Sequence, residues 1–407
     1  RIPDLFPQPK QFIVNLVLNH VKKMVPKFNL KNTIDFRDLV KDRAQKPKPV
    51  EIKNTDTAFL QYTGGTTGVS KGAVLTHRNV IANMEQMRGL MGDVITEGEE
   101  IIITPLPMYH IFSLTVNCLA FICMGGKNVL ITNPRDMPAF VKELKKHKWT
   151  VLTGVNTLFN GLLHNEEFKK LDFSSVKLVI GGAMAIQKAV AEKWRDVTGN
   201  LLVEGYGLTE SSPVASANPI DGRARIGTIG VPVASTEMKL CDENGVEVAI
   251  GERGEINIKG PQVMQGYYNR PDETANVLKD GWLRTGDVAV MAEDGFFTIV
   301  DRIKDMIIVS GFNVYPNEVE DVIAMMPKVM EVAAIGVPDA KSTEAVKVFI
   351  VKKDPSLTEQ EVRDFCEENM TGYKKPKHIV FRDDLPKTNV GKILRRALRE
   401  EEAAATA

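Results

Sequence analysis

The chain has 407 residues, 43% hydrophobic and 26% charged, the composition of an ordinary globular protein with room for two or three domains. Lysine plus arginine and aspartate plus glutamate number 52 each, so bulk charge gives no footing to a nucleic-acid partner. Cys118, Cys123, Cys241 and Cys366 form no C-x-x-C pair and no histidine-rich cluster, which argues against a zinc site or disulfide framework and for reduced, cytoplasmic thiols.

The chain opens at Arg1 with no secretory signal pattern, and it is expected to be a piece of a longer protein. Within residues 1–30, Lys10, Lys22, Lys23 and Lys27 accompany Phe12, Ile13, Leu16, Val17, Val21 and Met24 at near-helical spacing. Such a basic amphipathic helix suits either an anionic membrane surface or packing on its own protein.

From about 55 to 215, short β-rich runs alternate with amphipathic stretches, which predicts a mostly parallel sheet covered by helices. Thr57–Tyr62 reads as a strand and the segment from His77 as a helix. Between them lies YTGGTTGVSKG, residues 62–72, with four glycines, Thr63, Thr66, Thr67, Ser70 and Lys71. Glycines let backbone N–H groups converge on an anion, and hydroxyls and a lysine add donors. The run fails the Walker pattern, because Lys71 stands between Ser70 and Gly72, and it fails G-x-G-x-x-G as well. A flexible surface loop is the bland alternative.

Tyr109 and His110 follow in Pro105–Phe112, where His110 reads as a core or gate histidine rather than a base. The apolar run Leu114–Met124, interrupted by Asn117, is too short to span a bilayer and reads as a buried element. Val129–Thr132, Thr150–Thr153 and Leu178–Ile180 read as strands, and Pro138–Lys146 and Ala185–Val197 as helices. The motif EGYGLTE, residues 204–210, follows the strand Leu201–Val203; it offers the Tyr206 ring for stacking, the Thr209 hydroxyl, and the Glu210 carboxylate as a hard ligand for Mg²⁺.

From about 225 to 302 the texture changes to short strands and turns such as Asp242–Gly245 and Glu293–Gly295, which predicts a small antiparallel barrel or distorted sheet. Strands are expected at Glu237–Cys241, Val246–Val248, Val288–Met291 and Phe296–Val300. Asp287 ends the run from Gly281, a carboxylate suited to a ribose diol. Asp301-Arg-Ile-Lys-Asp305 stands where this texture gives way to an α/β tail, a natural hinge. In that tail, Glu318–Ala324 and Thr358–Glu368 read as helices, the second opening on a capping box of Thr358 and Glu361, and Val332–Ile335 and Ala345–Val351 as strands. Lys392 sits in the Gly-containing loop from Pro386, and the terminal EEAAATA is expected to fray.

Taken together and in this order, these segments resemble the AMP-forming acyl-CoA synthetases of the adenylate-forming superfamily. The run from Gly281 to Asp305 is similar to the signature of the fatty acyl-CoA synthetases, nearest to the bacterial long-chain ones. The likeness covers the whole chain. It implies an α/β fold in which residues 1–302 are the remainder of an N-terminal AMP-binding domain, with a barrel-like subdomain at about 225–302, and 303–407 are a mobile C-terminal lid. It also implies that some of the first sheet is missing, since such enzymes place well over a hundred residues before the phosphate loop.

The resemblance implies roles as well. Thr63, Gly64, Gly65, Thr66, Thr67, Gly68 and Lys71 would wrap the ATP phosphates. Gly182, Ala183, Tyr206 and Gly207 would line the adenine site, with Thr209 on phosphate and Glu210 on Mg²⁺. Asp287 and Arg302 would grip the ribose, and Lys392 would reach the carboxylate and the α-phosphate. Tyr109, His110, Val155 and Gly181 would border the acyl pocket, Gly311 and Phe312 the CoA channel, and Lys304 and Asp305 the hinge. The implied reaction joins a long-chain fatty acid, ATP and coenzyme A, feeding fatty acid degradation and lipid metabolism. Peripheral contact with the inner face of the cell membrane and a homodimer are compatible with it. A fatty acyl-AMP ligase, a luciferase-like oxygenase and a non-catalytic nucleotide- or lipid-binding module are the alternatives.

Overall fold

The computed structural model describes residues 7–26, 31–34, 38, 48–63 and 70–406. The chain divides into two units, Arg1–Ile52 and Lys53–Ala407. In the first, Lys10–Leu16 is α-helical, as the apolar spacing predicts, and Val17–Val21 continues it in a wider π-type turn. Among the described residues no helix is long and apolar enough to cross a membrane.

The second unit opens with an antiparallel ribbon of β1 (Thr57–Thr63) and β2 (Lys71–Thr76), and the expected phosphate-loop residues Gly64, Gly65, Thr66, Thr67 and Gly68 lie outside the described residues. Helix α1 (His77–Met91) starts where it does because Thr76 and Asn79 cap each other, side chain to backbone in both directions. Val80, Asn83, Met87 and Met91 recur at helical spacing and form its buried face.

A seven-stranded sheet follows, in the order β4 (Lys127–Leu130), β3 (Ile101–Thr104), β5 (Val151–Gly154), β6 (Leu178–Gly181), β7 (Leu202–Gly207), β8 (Val214–Ala217) and β9 (Val231–Pro232). Neighbours from β4 to β7 are parallel, and β8 and β9 add antiparallel edges. Helices α2 (Met137–Leu144), α3 (Asn156–Leu163) and α4 (Lys188–Thr198) pack on it. Their core holds Phe140, Phe159, Phe168 and Trp194, all 0–1% exposed. The apolar run predicted to be buried is the helical segment Ser113–Cys123. Its interrupting Asn117 is fully buried and donates to Thr104 Oγ1 (3.0 Å) and Thr153 Oγ1 (2.8 Å), tying β3 to β5 where the strand order reverses. In open α/β sheets ligands bind beyond the strand carboxyl ends at such a reversal.

The predicted antiparallel region is a five-stranded sheet. It contains β10 (Glu237–Cys241), β11 (Arg253–Lys259), β12 (Leu278–Lys279), β13 (Trp282–Met291) and β14 (Phe297–Arg302), with helix α5 (Pro271–Val277) inserted before β12. Val246–Val248, expected as a strand, closes the Asp242 turn through Asp242 N–H to Val246 O and Val248 N–H to Leu240 O, with a single bridge from Cys241 to Glu247.

After the short turn Ile303–Asp305 comes a third sheet of β15 (Ile307–Val309), β16 (Phe312–Val314), β17 (Val329–Asp339), β18 (Thr343–Lys352) and β19 (His378–Arg382), with its own core of Ile323, Val346, Val348, Ile350 and Val362. Helices α6 (Pro316–Ala324) and α7 (Glu359–Asn369) cover it, and α7 opens on the predicted Thr358–Glu361 capping box. The C-terminus departs from expectation: Arg395–Thr406 is helix α8, held by Lys347–Glu402 (2.5 Å) and Arg382–Glu401 (2.5 Å) pairs that a composition-based reading of EEAAATA cannot see.

Candidate active site

A cavity of about 1120 Å³ opens beyond the carboxyl ends of β6 and β7, walled by both large sheets and capped by the C-terminal lobe. It brings together Thr63, Lys71, Tyr109, His110, Gly181, Gly182, Ala183, Tyr206, Gly207, Thr209, Glu210, Asp287, Arg302, Lys304, Asp305 and Lys392, which are spread over most of the sequence. Backbone economy makes the space: a Cβ on Gly207 would stand 1.9 Å from the carbonyl oxygen of Pro213, and one on Gly181 would stand 2.6 Å from Leu202 Cδ2. Ala183 takes the left-handed conformation (φ 62°) that side chains normally avoid, at a point where the cavity wall turns.

One wall carries a fixed polar triad. Asp287, 4% exposed, accepts a hydrogen bond from the Tyr206 hydroxyl on Oδ2 (2.7 Å) and pairs with Arg302 Nε through Oδ1 (3.0 Å). The register that pairs Asp287 with Arg302 across β13 and β14 makes this contact inevitable once the hairpin forms. A buried carboxylate needs such partners. Burial pushes the Tyr206 phenol well up, and the Asp287 charge pushes the same way, so it stays a donor; the same carboxylate raises Arg302 further.

At the opposite mouth, Thr209 and Glu210 begin a short 3₁₀ turn after β7, and the Glu210 carbonyl accepts the N–H of Met264 (2.8 Å). Glu210 Oε1 accepts the hydroxyl of Tyr267 (2.6 Å). Lys71 pairs with Glu273 of α5 and lies 5.0 Å over the Tyr267 ring. Tyr267 and Glu273 were not legible as site residues; both stand in an ordinary turn-and-helix sequence. Among the described residues no three His, Cys, Asp or Glu side chains gather as a metal cage. A lone carboxylate at Glu210, in a cavity that also holds the Thr209 hydroxyl and the Lys71 amine, fits Mg²⁺, because that ion keeps most of its waters and needs few protein ligands.

Lys392 reaches the cavity from the loop before α8. The loop is closed on itself, Thr388 N–H donating to the Lys392 carbonyl (2.7 Å) and Lys392 N–H to Thr388 Oγ1 (3.1 Å), and it is tied to α3 by Thr157 Oγ1–H to the Gly391 carbonyl (3.1 Å). Burial pushes the Lys392 amine down to about 7; the Arg302 and Arg395 guanidiniums add to that, and Asp287 and Asp305 oppose it. His110 is held neutral by burial and by the nearby Lys392 charge, and its Nδ1 accepts the Phe112 N–H (3.3 Å). Asp305 pairs with Arg399 (2.7 Å), and burial together with Arg302 lowers the Lys304 amine.

Three expected residues stand elsewhere. Val155, 2% exposed, is packed in the core beneath the Gly391 loop. Gly311 lies in the turn between β15 and β16, and Phe312 opens β16, where it stacks on Tyr373 at 4.7 Å between ring centroids. The sequence also missed an apolar arm of the cavity, lined by Met87, Met91, Val116, Leu178, Ile180 and Val203. These residues recur at core-like spacing on α1, the helical segment Ser113–Ala120, β6 and β7, so nothing in the sequence separates them from ordinary core.

Beside the arm, Glu204 accepts the Ile186 N–H through Oε2 (3.0 Å), and burial, with Asp321 adding its charge, pushes its carboxyl up to about 8. Asp321 is itself pushed up to about 7 by burial and by Glu320 and Asp301.

Residues 11–268 match the model of the AMP-binding enzymes, and residues 318–392 match that of the AMP-binding enzyme C-terminal domain. The chain is 57% identical over 403 residues to a long-chain-fatty-acid–CoA ligase of Escherichia coli O6:H1, an alignment covering 98% of this chain and 72% of the relative. Among solved structures it resembles ATP-bound MatB from Rhodopseudomonas palustris, with a TM-score of 0.80 and 32% identity over 86% of this chain and 69% of that one. It also resembles the o-succinylbenzoate CoA synthetase of Bacillus subtilis in complex with its acyl-adenylate, with a TM-score of 0.78 and 29% identity over 90% and 74%. The chain belongs to the AMP-binding, adenylate-forming enzymes.

Proposed function

We propose that this chain activates long-chain fatty acids with ATP, forming fatty acyl-CoA through an acyl-adenylate and releasing AMP and pyrophosphate. The likeness to the fatty acid–CoA ligases supports the substrate class. One observation carries the site assignment: a lysine from the C-terminal lobe, the Tyr206–Asp287–Arg302 triad, Thr209–Glu210 and an apolar arm share one cavity.

In the first step a carboxylate oxygen of the fatty acid attacks the α-phosphorus of ATP, and the bond to pyrophosphate breaks. A carboxylic acid with a pKa near 4–5 is already ionised at neutral pH, so no general base is required. The barrier lies in bringing two anions together, and positioned cations lower it. Lys392 would span the carboxylate and the α-phosphate, and Asp287 with Arg302 would hold the ribose hydroxyls. Lys71 would exchange Glu273 for phosphate, and Thr63 and Thr209 would add donors. Glu210 would hold Mg²⁺ together with the phosphates, and the ion would supply charge neutralisation there. Met87, Met91, Val116 and Leu178 would bury the hydrocarbon.

In the second step the thiol of coenzyme A, which has a pKa of about 8.5 and is intrinsically nucleophilic, attacks the acyl carbonyl as AMP leaves with the former carboxylate oxygen. For this the C-terminal lobe, residues 303–407, would turn about Lys304 and Asp305, withdrawing Lys392 and bringing Gly311 and Phe312 to the pantetheine channel. We place the reaction in the cytoplasm, with the basic amphipathic segment at 1–30 touching the inner face of the membrane from which a lipophilic substrate partitions. The test supplies ATP, Mg²⁺ and carboxylic acids from acetate to oleate, with and without CoA, and follows products by mass spectrometry. Acyl-CoA from the long acids is expected; acyl-AMP persisting despite CoA would reassign the chain as an acyl-AMP ligase.

A further inference from the structure

Arg395 stands three residues beyond Lys392, at the start of α8, and only 15% of its side chain is exposed. Its guanidinium donates to Glu320 through Nε (3.0 Å) and Nη2 (2.7 Å), to Asn317 Oδ1 (2.5 Å), and through Nη1 to Asp301 Oδ1 (3.3 Å). Asp305 lies 3.5 Å from Nη1. These partners divide by lobe. Asn317 and Glu320 belong to α6 and move with Arg395. Asp301 belongs to β14, paired with Val288 of β13 in the sheet before the hinge.

Asp301 is built to receive this contact. Its side chain is 1% exposed; Oδ1 also accepts the Arg302 N–H (2.7 Å), and Oδ2 accepts the backbone N–H of Asn317 at the start of α6 (2.7 Å). Both carboxylate oxygens therefore grip the C-terminal lobe, one through Arg395 and one through α6. Turning that lobe about Ile303–Asp305 would keep Arg395 on Glu320 and Asn317 but strip both from Asp301. Because the Lys392 loop is closed by its own hydrogen bonds and leads directly into Arg395, fixing Arg395 fixes where Lys392 can reach.

We propose that Arg395 is a positioning residue that latches onto Asp301 across the hinge, holding Lys392 in the adenylating position, and that the latch opens for the thiol step. This rests on the reading of Lys392 as the adenylating lysine and of Ile303–Asp305 as the hinge. The latch is a charge-assisted contact in a buried site, where such bonds are strong and their loss is felt in full.

The experiment measures the two half-reactions of the full chain separately: pyrophosphate release from ATP and a long-chain acid without CoA, and acyl-CoA formation from synthetic acyl-AMP and CoA. Asp301→Asn keeps the shape and an acceptor for the Asn317 N–H but removes the charge facing Arg395. It should slow adenylation by about 10- to 100-fold, the worth of one charge-assisted hydrogen bond, and leave the thiol step within about threefold or faster. Arg395→Lys, which cannot bridge three partners at once, should follow in the same direction. Equal loss of both half-reactions, or adenylation unchanged, overturns the latch. Lys392→Ala run beside them separates the premises: if it leaves pyrophosphate release intact, the reading of Lys392 falls and the latch with it.

Discussion

Glu204 gives the most quantitative handle on this fold. Its carboxyl, buried between β7 and the Ile186 backbone, is pushed from 4.5 up to about 8, chiefly by burial and further by Asp321. In the unfolded chain it would titrate near its ordinary value, so below about pH 4.5 both states hold the proton and nothing is lost. As pH rises from there to 8, the unfolded state releases its proton while the folded state retains it, and stability falls through that window. By linkage the loss amounts to about 3 kcal/mol at pH 7 and roughly 4 kcal/mol at pH 8. Glu204→Gln cannot ionise yet still offers Oε1 to the Ile186 N–H. Urea unfolding of both proteins at pH 5 and pH 8 reads the difference: the variant should gain about 3 kcal/mol on the parent between the two. Asp321 titrates in both proteins, so the comparison isolates Glu204. Parallel loss of stability in parent and variant would mean that Glu204 is already ionised in the fold, and the reasoning from burial would fail.

Four further outcomes are expected. Lys392→Ala should slow adenylation by about 10²–10³-fold, the scale on which one transition-state donor counts. Because the Lys392 amine is held near 7 and only its protonated form is a cation, kcat/KM for ATP should fall as pH rises through about 7, a limb that Lys392→Arg abolishes; a profile flat to pH 9 in the parent would contradict this. Val116→Phe, filling the apolar arm, should lower kcat/KM for hexadecanoate by about tenfold or more while sparing octanoate, since each methylene in such a pocket counts for 1–3 kcal/mol; equal loss for both acids would place the chain elsewhere. Gly207→Ala would set a Cβ 1.9 Å from Pro213 O and should destabilise by several kcal/mol, read by thermal unfolding.

The elements legible in the sequence are those whose cause is local. Thr76 and Thr358 announce their helices through capping partners three residues on, and turn residues such as Asp242–Gly245 mark the antiparallel region. The residues gathered in the cavity were named from motifs, but their geometry depends on contacts between distant segments: Asp287 meets Tyr206 across 81 residues. Arg395 is one of two adjacent arginines in the sequence, and only the fold shows it satisfied by three acidic residues and an asparagine. The acyl arm was hidden because a residue lining a hydrocarbon tunnel and a residue filling a core obey the same periodicity. Val155 carries the same ambiguity: it is an apolar residue expected to border the acyl pocket, and it packs in the core.

The central claim is passage through an acyl-adenylate, and oxygen tracing tests it most directly. A long-chain acid carrying ¹⁸O in both carboxyl positions is incubated with the full chain, ATP, Mg²⁺ and CoA, and the nucleotide product is weighed. Attack on the α-phosphorus requires one ¹⁸O to leave in AMP and the other to stay in the thioester. AMP free of label, or label found in inorganic phosphate beside ADP, would contradict the account.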